Sequence, residues 1–151
     1  MAKLGDFFTD DFRHSLAKNN LQLGAVFRYF VNFTNPPKIK YQIIVGVDNQ
    51  SISLVTVLIN TEINPNLFKK ESLKNLHFLL EKVSNHFLEY DSFVYCGELH
   101  EQKISEVEKI IQDKLSTFVG NVSDETLDKL KYLIKNAKSI EEETKEKYNL
   151  L

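Results

Sequence analysis

Residues 24–62, GAVFRYFVNFTNPPKIKYQIIVGVDNQSISLVTVLINTE, decide the fold class of this chain. Three runs within this stretch are rich in β-branched and aromatic residues and predict strands: 25–31, 40–47 and 52–59. Residues 48–51, DNQS, are turn-forming, so the second and third strands are expected to form an antiparallel hairpin. The consecutive prolines Pro36 and Pro37 exclude helix and central strand from the first loop. Because consecutive strands form a hairpin and not a βαβ unit, the pattern predicts an α+β fold, or a small barrel with helices.

Apolar residues recur at helical spacing in four other segments. The first two are residues 7–20 and 72–88, and the third contains Ile104 and Val107. The fourth opens at Ser123 with acidic residues in its first turn, which favours a helix start. Its apolar stripe comprises Leu127, Leu130, Ile134, Ala137 and Ile140. Two further extended segments, 92–96 and 115–122, bring the expected total to about five strands.

The 151 residues are interpreted as one domain, because this length suits a single core. Within it we expect an N-terminal helical extension (1–23), a barrel with helices (24–140) and a charged tail (141–151) that frays or docks on a partner. A net charge of −2 argues against nonspecific coating of nucleic acid. No apolar run reaches the ~18 residues needed to cross a bilayer, and the N-terminus lacks a signal-peptide pattern. We therefore expect a cytoplasmic protein with no membrane partner.

Most enzyme signatures are absent from the sequence. It contains no GxGxxG, GxxxxGK[ST], HExxH or GxSxG motif, so no cofactor is expected. Cys96, Glu98 and His100 are close enough in sequence to suggest metal ligands, but a strand end followed by a solvated turn is the favoured interpretation, and no metal site is expected. Cys96 paired with a histidine would be a nucleophile. A small buried hydrophobe is the commoner role for such a cysteine.

The basic residues near the first two strands suggest a different chemistry. Arg28, Lys38 and Lys40 lie on the first strand, the proline loop and the start of the second strand, where one phosphate could meet all three. The rings of Tyr29, Phe33 and Tyr41 could stack on nucleobases. From the pattern alone, ordinary loop charges and core rings are the favoured interpretation.

Three motifs in a fixed order resemble the MazF/PemK toxin endoribonucleases of bacterial toxin–antitoxin systems. They are GAVFRYFVNFTNPPKIKYQIIVG (24–46), LVTVLINTEI (54–63) and STFVGNVSDETLDKLKYLI (116–134). The last of these, with its glycine, serine and acidic residues before an amphipathic helix, matches best. The resemblance covers roughly residues 24–62 and 92–140, which leaves the predicted helix at 72–88 as an insertion. It implies a small SH3-like β-barrel with a C-terminal amphipathic helix.

The resemblance also implies a function. Such a protein is a growth-inhibiting toxin that cleaves single-stranded RNA without a metal, acts as a homodimer and binds a cognate antitoxin protein. Lys40 and Thr61 match the family's catalytic positions, with Lys40 as phosphate ligand and acid. Lys40 stands where the family has arginine, and Tyr41 where it has proline. The substrate-binding positions are then Arg28, Lys38, Tyr41 and Asn60.

Two other functions remain open at this point. One is a non-catalytic binding module on the same barrel, or a toxin that acts on a protein target, which the missing arginine favours. The other is a protein of a phage or mobile element with unrelated activity, such as an inhibitor. The scarcity of arginine beside many lysines and asparagines indicates an AT-rich source genome, which suits that origin without deciding between the functions.

Overall fold

Six antiparallel strands form one curled sheet, a half-barrel, in the computed structural model of this chain, which describes residues 21–151. The strands are β1 (Ala25–Val31), β2 (Lys38–Val47), β3 (Ser53–Asn60), β4 (His77–Leu80), β5 (Ser92–Lys103) and β6 (Phe118–Asn121). Their order across the sheet is β4-β5-β3-β2-β1-β6. The α+β class is confirmed, with six strands in place of about five. The helix predicted at 7–20 lies outside the described residues.

Within residues 21–151 four α-helices accompany the sheet, and two of them were predicted from the sequence. They are α1 (Glu71–Lys74), α2 (Ile104–Asp113), α3 (Asp124–Asn136) and α4 (Glu142–Lys147), with single 3₁₀ turns at Lys82–Ser84 and Leu115–Thr117. Helix α3 starts where the sequence predicted. Ser123 is its N-cap, and the Ser123 hydroxyl oxygen accepts a hydrogen bond from the Thr126 amide at 3.1 Å. None of the helices in residues 21–151 combines the length and the apolar character that a membrane crossing requires.

One face of the sheet, here called the core face, packs against α3. The strands contribute alternate residues to it, among them Val26, Ile43 and Val57, all fully buried. Leu130 and Ile134 of α3 are equally buried against them. This alternation is the period of a strand with one face in a hydrophobic core.

The opposite face, here called the second face, has a buried apolar cluster beneath α2. Phe27, Ile44 and Leu54 of the sheet pack there against Val107 and Ile111 of the helix. Beyond that cluster the same strands continue without a covering helix and carry polar residues. The second face therefore has an uncovered end, at which β2 begins and β3 finishes.

The helix predicted over 72–88 is wrong. The segment forms the short helix α1, the strand β4 and a 3₁₀ turn. A run such as HFLL satisfies strand and helix periods equally well, so the pattern alone could not separate them. Pairing of β4 with residues 92–95 of β5 decides the outcome, because Leu80 is then buried in the core while Leu79 faces outward.

Strand β5 is longer than predicted, and this changes the surroundings of Glu98 and His100. The expected strand end and solvated turn after Cys96 do not occur, because β5 continues to Lys103. The ladder is irregular: Tyr95 pairs with Leu58 and His100 pairs with Thr56, so four residues of β5 bulge opposite one of β3. The Cys96 amide does not pair with β3 and donates a hydrogen bond to the Leu76 carbonyl oxygen at 2.8 Å.

The charged tail at 141–151 packs on the chain's own sheet instead of fraying. Tyr148 and Leu150 are buried in the core, and the Tyr148 hydroxyl donates to Glu101 at 2.6 Å. Gly46 permits this docking, because a Cβ there would lie 2.9 Å from the Tyr148 Cβ. Helix α4 also supplies the buried Lys145, whose ammonium donates to the carbonyls of Lys135 and Ala137 at the end of α3.

Candidate functional site

A cleft of about 580 Å³ lies at the uncovered end of the second face. Its floor is formed by β2, β3 and β5, and its walls by the loops at 32–37 and 61–70 together with Leu73. Four of the six residues predicted to bind or act on a substrate line it: Lys38, Lys40, Asn60 and Thr61. We call it the lysine cleft.

Lys40 is the most constrained cation of the lysine cleft. Its ammonium donates to the side-chain oxygen of Asn60, which ends β3 on the neighbouring strand. Partial burial, and secondarily the positive charge of Lys38, lowers the pKa of Lys40 below its usual value. A lysine with a lowered pKa gives up its proton more readily than an exposed one, which suits a proton donor.

The two other predicted residues lie on the core face. Arg28 pairs with Tyr41 across β1 and β2, and its guanidinium lies 5.6 Å above the Tyr41 ring. Both line a smaller cavity of about 140 Å³. Strand alternation separates them from Lys38 and Lys40, so one phosphate cannot meet all three predicted cations as the sequence suggested.

Asn60 and Thr61 connect the two cavities. Both residues line the lysine cleft and also the cavity beside Arg28 and Tyr41. The end of β3 therefore lies between the two cavities, with Lys40 in one and Arg28 in the other. Thr61 is exposed, so its hydroxyl is open to a ligand that crosses this end of the sheet.

Aromatic rings form the wall of the lysine cleft near β5. The rings of Phe68, His77 and Tyr95 contact one another with centroid separations of 4.5 to 4.7 Å, and His77 stacks on Tyr95. The Nδ1 atom of His77 lies 3.1 Å from the carbonyl oxygens of Leu73 and Lys74, so it donates, and Nε2 is left buried without a partner among residues 21–151. Burial lowers the pKa of His77. The wall is therefore neutral and offers flat apolar surface.

Glu98 and His100 are cleft residues that the sequence analysis did not assign. Both line the lysine cleft, and the His100 ring meets the Phe33 ring edge-on at 4.2 Å between centroids. Burial lowers the pKa of His100, and the nearby charge of Glu98 opposes that shift in part. Period-two spacing of Glu98, His100 and Gln102 was the available signal. That spacing was missed because the strand was expected to end at Cys96.

A buried polar layer separates the lysine cleft from the apolar cluster under α2. The side chains of Tyr29, Gln42, Thr56 and Gln102 hydrogen-bond to one another, with Thr56 donating to Gln42 at 2.9 Å and Gln102 donating to Gln42 at 2.8 Å. Burial raises the pKa of Tyr29 to about 12, so its hydroxyl stays protonated and donates to Gln102. The residues interlock across β1, β2, β3 and β5, which fixes the floor beneath the cleft.

Cys96 has the role of a small buried hydrophobe. Its side chain is fully buried in the core-face cluster, and burial raises its thiol pKa to about 12. His100 lies on the second face, so the hypothesis of a Cys96–histidine nucleophilic pair is wrong for that histidine. Within residues 21–151, no three His, Cys, Asp or Glu side chains are placed to hold a metal ion together.

Two comparisons with known proteins found no match. No protein-family model matches the chain, and no curated protein is similar to it in sequence.

Proposed function

We propose that the lysine cleft binds single-stranded RNA and cleaves it without a metal, by attack of a ribose 2′-oxygen on the adjacent phosphate. The observation that carries the proposal is the meeting of Lys38, Lys40, Asn60 and Thr61 at one end of the second face, beside aromatic rings. Ammonium groups attract the phosphate, and exposed rings stack on unpaired bases.

Lys40 and Thr61 are assigned the roles that transesterification needs. The reaction places negative charge on the phosphate oxygens and then on the departing 5′-oxygen. The Lys40 ammonium offsets that charge and gives its proton to the 5′-oxygen. The Thr61 hydroxyl donates a hydrogen bond to a phosphate oxygen. The products are a 2′,3′-cyclic phosphate and a 5′-hydroxyl.

Arg28 and Tyr41 extend the proposed RNA path over the end of β3. Because Asn60 and Thr61 line both cavities, a chain bound at Lys40 reaches Arg28 by crossing Thr61. We assign the phosphate on the far side of the scissile bond to Arg28. The Tyr41 ring lies beneath the Arg28 guanidinium and holds that cation in place.

The resemblance to MazF/PemK toxins extends the proposal to biology. The protein would act in the cytoplasm as the toxin of a toxin–antitoxin pair, as a homodimer on an SH3-like barrel. A cognate antitoxin would cover the lysine cleft with an acidic or apolar segment. Its expression without antitoxin would arrest growth.

The test is RNA cleavage by purified protein in buffer containing a chelator. The wild type is expected to cut an unstructured RNA and leave 5′-hydroxyl ends. The Lys40→Ala/Thr61→Ala double variant should lose at least about a hundredfold in rate. Lys69→Ala is the matched control, since Lys69 is an exposed loop lysine near the cleft that does not line it. No cleavage by the wild type, or equal cleavage by the double variant, would refute the proposal.

A second candidate is a non-catalytic binding module on the same barrel, or a toxin that acts on a protein target. Its support is the charge balance of the lysine cleft, because Glu62 and Glu98 offset Lys38 and Lys40 and the Lys40 ammonium is held by Asn60. Growth arrest on expression without new RNA ends would favour this candidate over the nuclease.

A further inference from the structure

The proposed cleavage needs a base to take the 2′-hydroxyl proton, and the resemblance names no residue for that step. His100 lines the lysine cleft together with Lys40 and Thr61. Neither of its ring nitrogens hydrogen-bonds to another residue in the part of the chain that the structure describes. Its ring is positioned by edge-on contact with Phe33 and by the pairing of its backbone with Thr56.

His100 also lines a second and larger groove. That groove, of about 920 Å³, shares only Phe33 and His100 with the lysine cleft among the described residues. The imidazole is therefore at the junction of two open spaces, with solvent access on one side and the proposed scissile phosphate on the other. A base in this place can take a proton from substrate and release it to water.

Burial favours the neutral form of His100 near pH 7. Burial lowers the pKa of His100 because it disfavours the charged imidazolium, and the negative charge of Glu98 opposes this shift only in part. A neutral imidazole with a free lone pair is the form that acts as a base.

Other titratable groups of the second face are less suited to the step. The Tyr29 hydroxyl has a pKa of about 12 and already donates to Gln102, so it holds its proton. His77 donates from Nδ1 to the backbone, and its Nε2 is buried. Lys40 is the assigned acid, and it cannot serve as acid and base in the same step.

We propose that His100 is the general base of the lysine cleft, an assignment that rests on the proposed RNA cleavage. One ring nitrogen of His100 accepts the proton of the ribose 2′-hydroxyl as the new 2′-O–P bond forms. The P–O5′ bond breaks, and the departing 5′-oxygen receives the Lys40 proton. The imidazolium then returns its proton to water through the larger groove, and the lysine regains one. Charge and atoms balance, and no co-reactant is required.

The test separates base from acid with two substrates. One is an ordinary RNA oligonucleotide, and the other carries sulphur in place of the 5′-bridging oxygen at the cleavage site. Thiolate departs without protonation, so this substrate removes the need for an acid and leaves the need for a base. His100→Ala and Lys40→Ala are compared with His86→Ala, an identical substitution at an exposed histidine outside both cavities.

On ordinary RNA, His100→Ala and Lys40→Ala are each expected to be slower than wild type by about 10²- to 10⁴-fold. On the sulphur substrate Lys40→Ala should recover most of its rate, and His100→Ala should remain slow. Free imidazole should restore part of the His100→Ala rate, which also shows that the variant is folded. His86→Ala should match wild type on both substrates.

Three outcomes overturn the assignment. His100→Ala within about threefold of wild type on ordinary RNA would remove His100 from the reaction and leave the proposed cleavage standing. Recovery of His100→Ala on the sulphur substrate would make His100 the acid. No cleavage by the wild type on either substrate would overturn the proposed function and this assignment together.

Discussion

The two faces of the sheet are built from the same strands and differ in what they hold. Along β2, Ile43 faces α3 on the core face, while Gln42 and Lys40 face the polar layer and the lysine cleft. The core face is apolar where it packs against α3, and it carries Arg28 and Tyr41 only near the end of β3. The second face changes from apolar under α2 to amide and hydroxyl groups, and then to cations and rings. The difference indicates that one face holds the fold together, which frees the other to carry polar groups that would weaken a core.

The largest expected effect is on the core face. Leu130→Ala should lower the free energy of unfolding by about 2–5 kcal/mol, because Leu130 is fully buried between α3 and the sheet and its removal leaves a cavity. Urea unfolding followed by circular dichroism measures the loss. Tyr132→Ala is the control on the same helix, since Tyr132 is 67% exposed, and it should change stability by less than about 0.5 kcal/mol. Equal losses in the two variants would contradict the packing of α3 against the core face through Leu130.

The next effect concerns two lysines of α4. Lys145→Met should cost about 1.5–3 kcal/mol, because the buried ammonium donates to the carbonyls of Lys135 and Ala137, which would be left unpaired. Lys147→Met removes only an exposed ion pair with Glu101, which solvent screens, and should cost less than Lys145→Met. Thermal unfolding of both variants at one pH makes the comparison. A larger loss for Lys147→Met would show that the tail is not anchored as described.

A smaller effect is expected from the polar layer of the second face. Tyr29→Phe removes one hydrogen bond to Gln102 and should lower the free energy of unfolding by about 1 kcal/mol. Tyr90→Phe is the matched control, because Tyr90 is 64% exposed and hydrogen-bonds through its hydroxyl to no described residue. Urea unfolding distinguishes them. A cost above that of Leu130→Ala would reverse the ranking of the two faces.

The smallest effect is a pH dependence that originates on the second face. Burial lowers the pKa of His77 and of His100, so below about pH 6.5 the unfolded chain binds more protons than the folded one. The free energy of unfolding should therefore fall as pH decreases from 7 to 5. His77→Phe keeps an aromatic ring against Phe68 and Tyr95 and should reduce this slope.

Urea midpoints measured at several pH values give that slope. His86→Phe, at an exposed position, should leave the slope as in wild type. A slope that His77→Phe does not reduce would mean that His77 makes no contribution.

The elements that were predicted correctly depend on residues that lie close together in the sequence. The hairpin of β2 and β3 and the capped helix α3 follow from a turn, a serine and a regular stripe, all within a few residues. The helix predicted at 72–88 failed because HFLL pairs with a strand that begins twelve residues after it ends. The six predicted site residues lie near one end of the sheet, but strand alternation divides them between its two faces.

The sequence by itself determined the α+β class, the first three strands, the apolar stripe of α3 and the absence of common cofactor motifs, because these depend on local spacing and residue type. Only the tertiary structure decided that Lys40 and Arg28 lie on opposite faces, that Asn60 and Thr61 lie between them, and that Tyr148 anchors the tail. It also decided that the bulge in β5 brings His100 into the lysine cleft. Register and bulges depend on pairing between distant segments, and that pairing energy is not carried by any one segment alone.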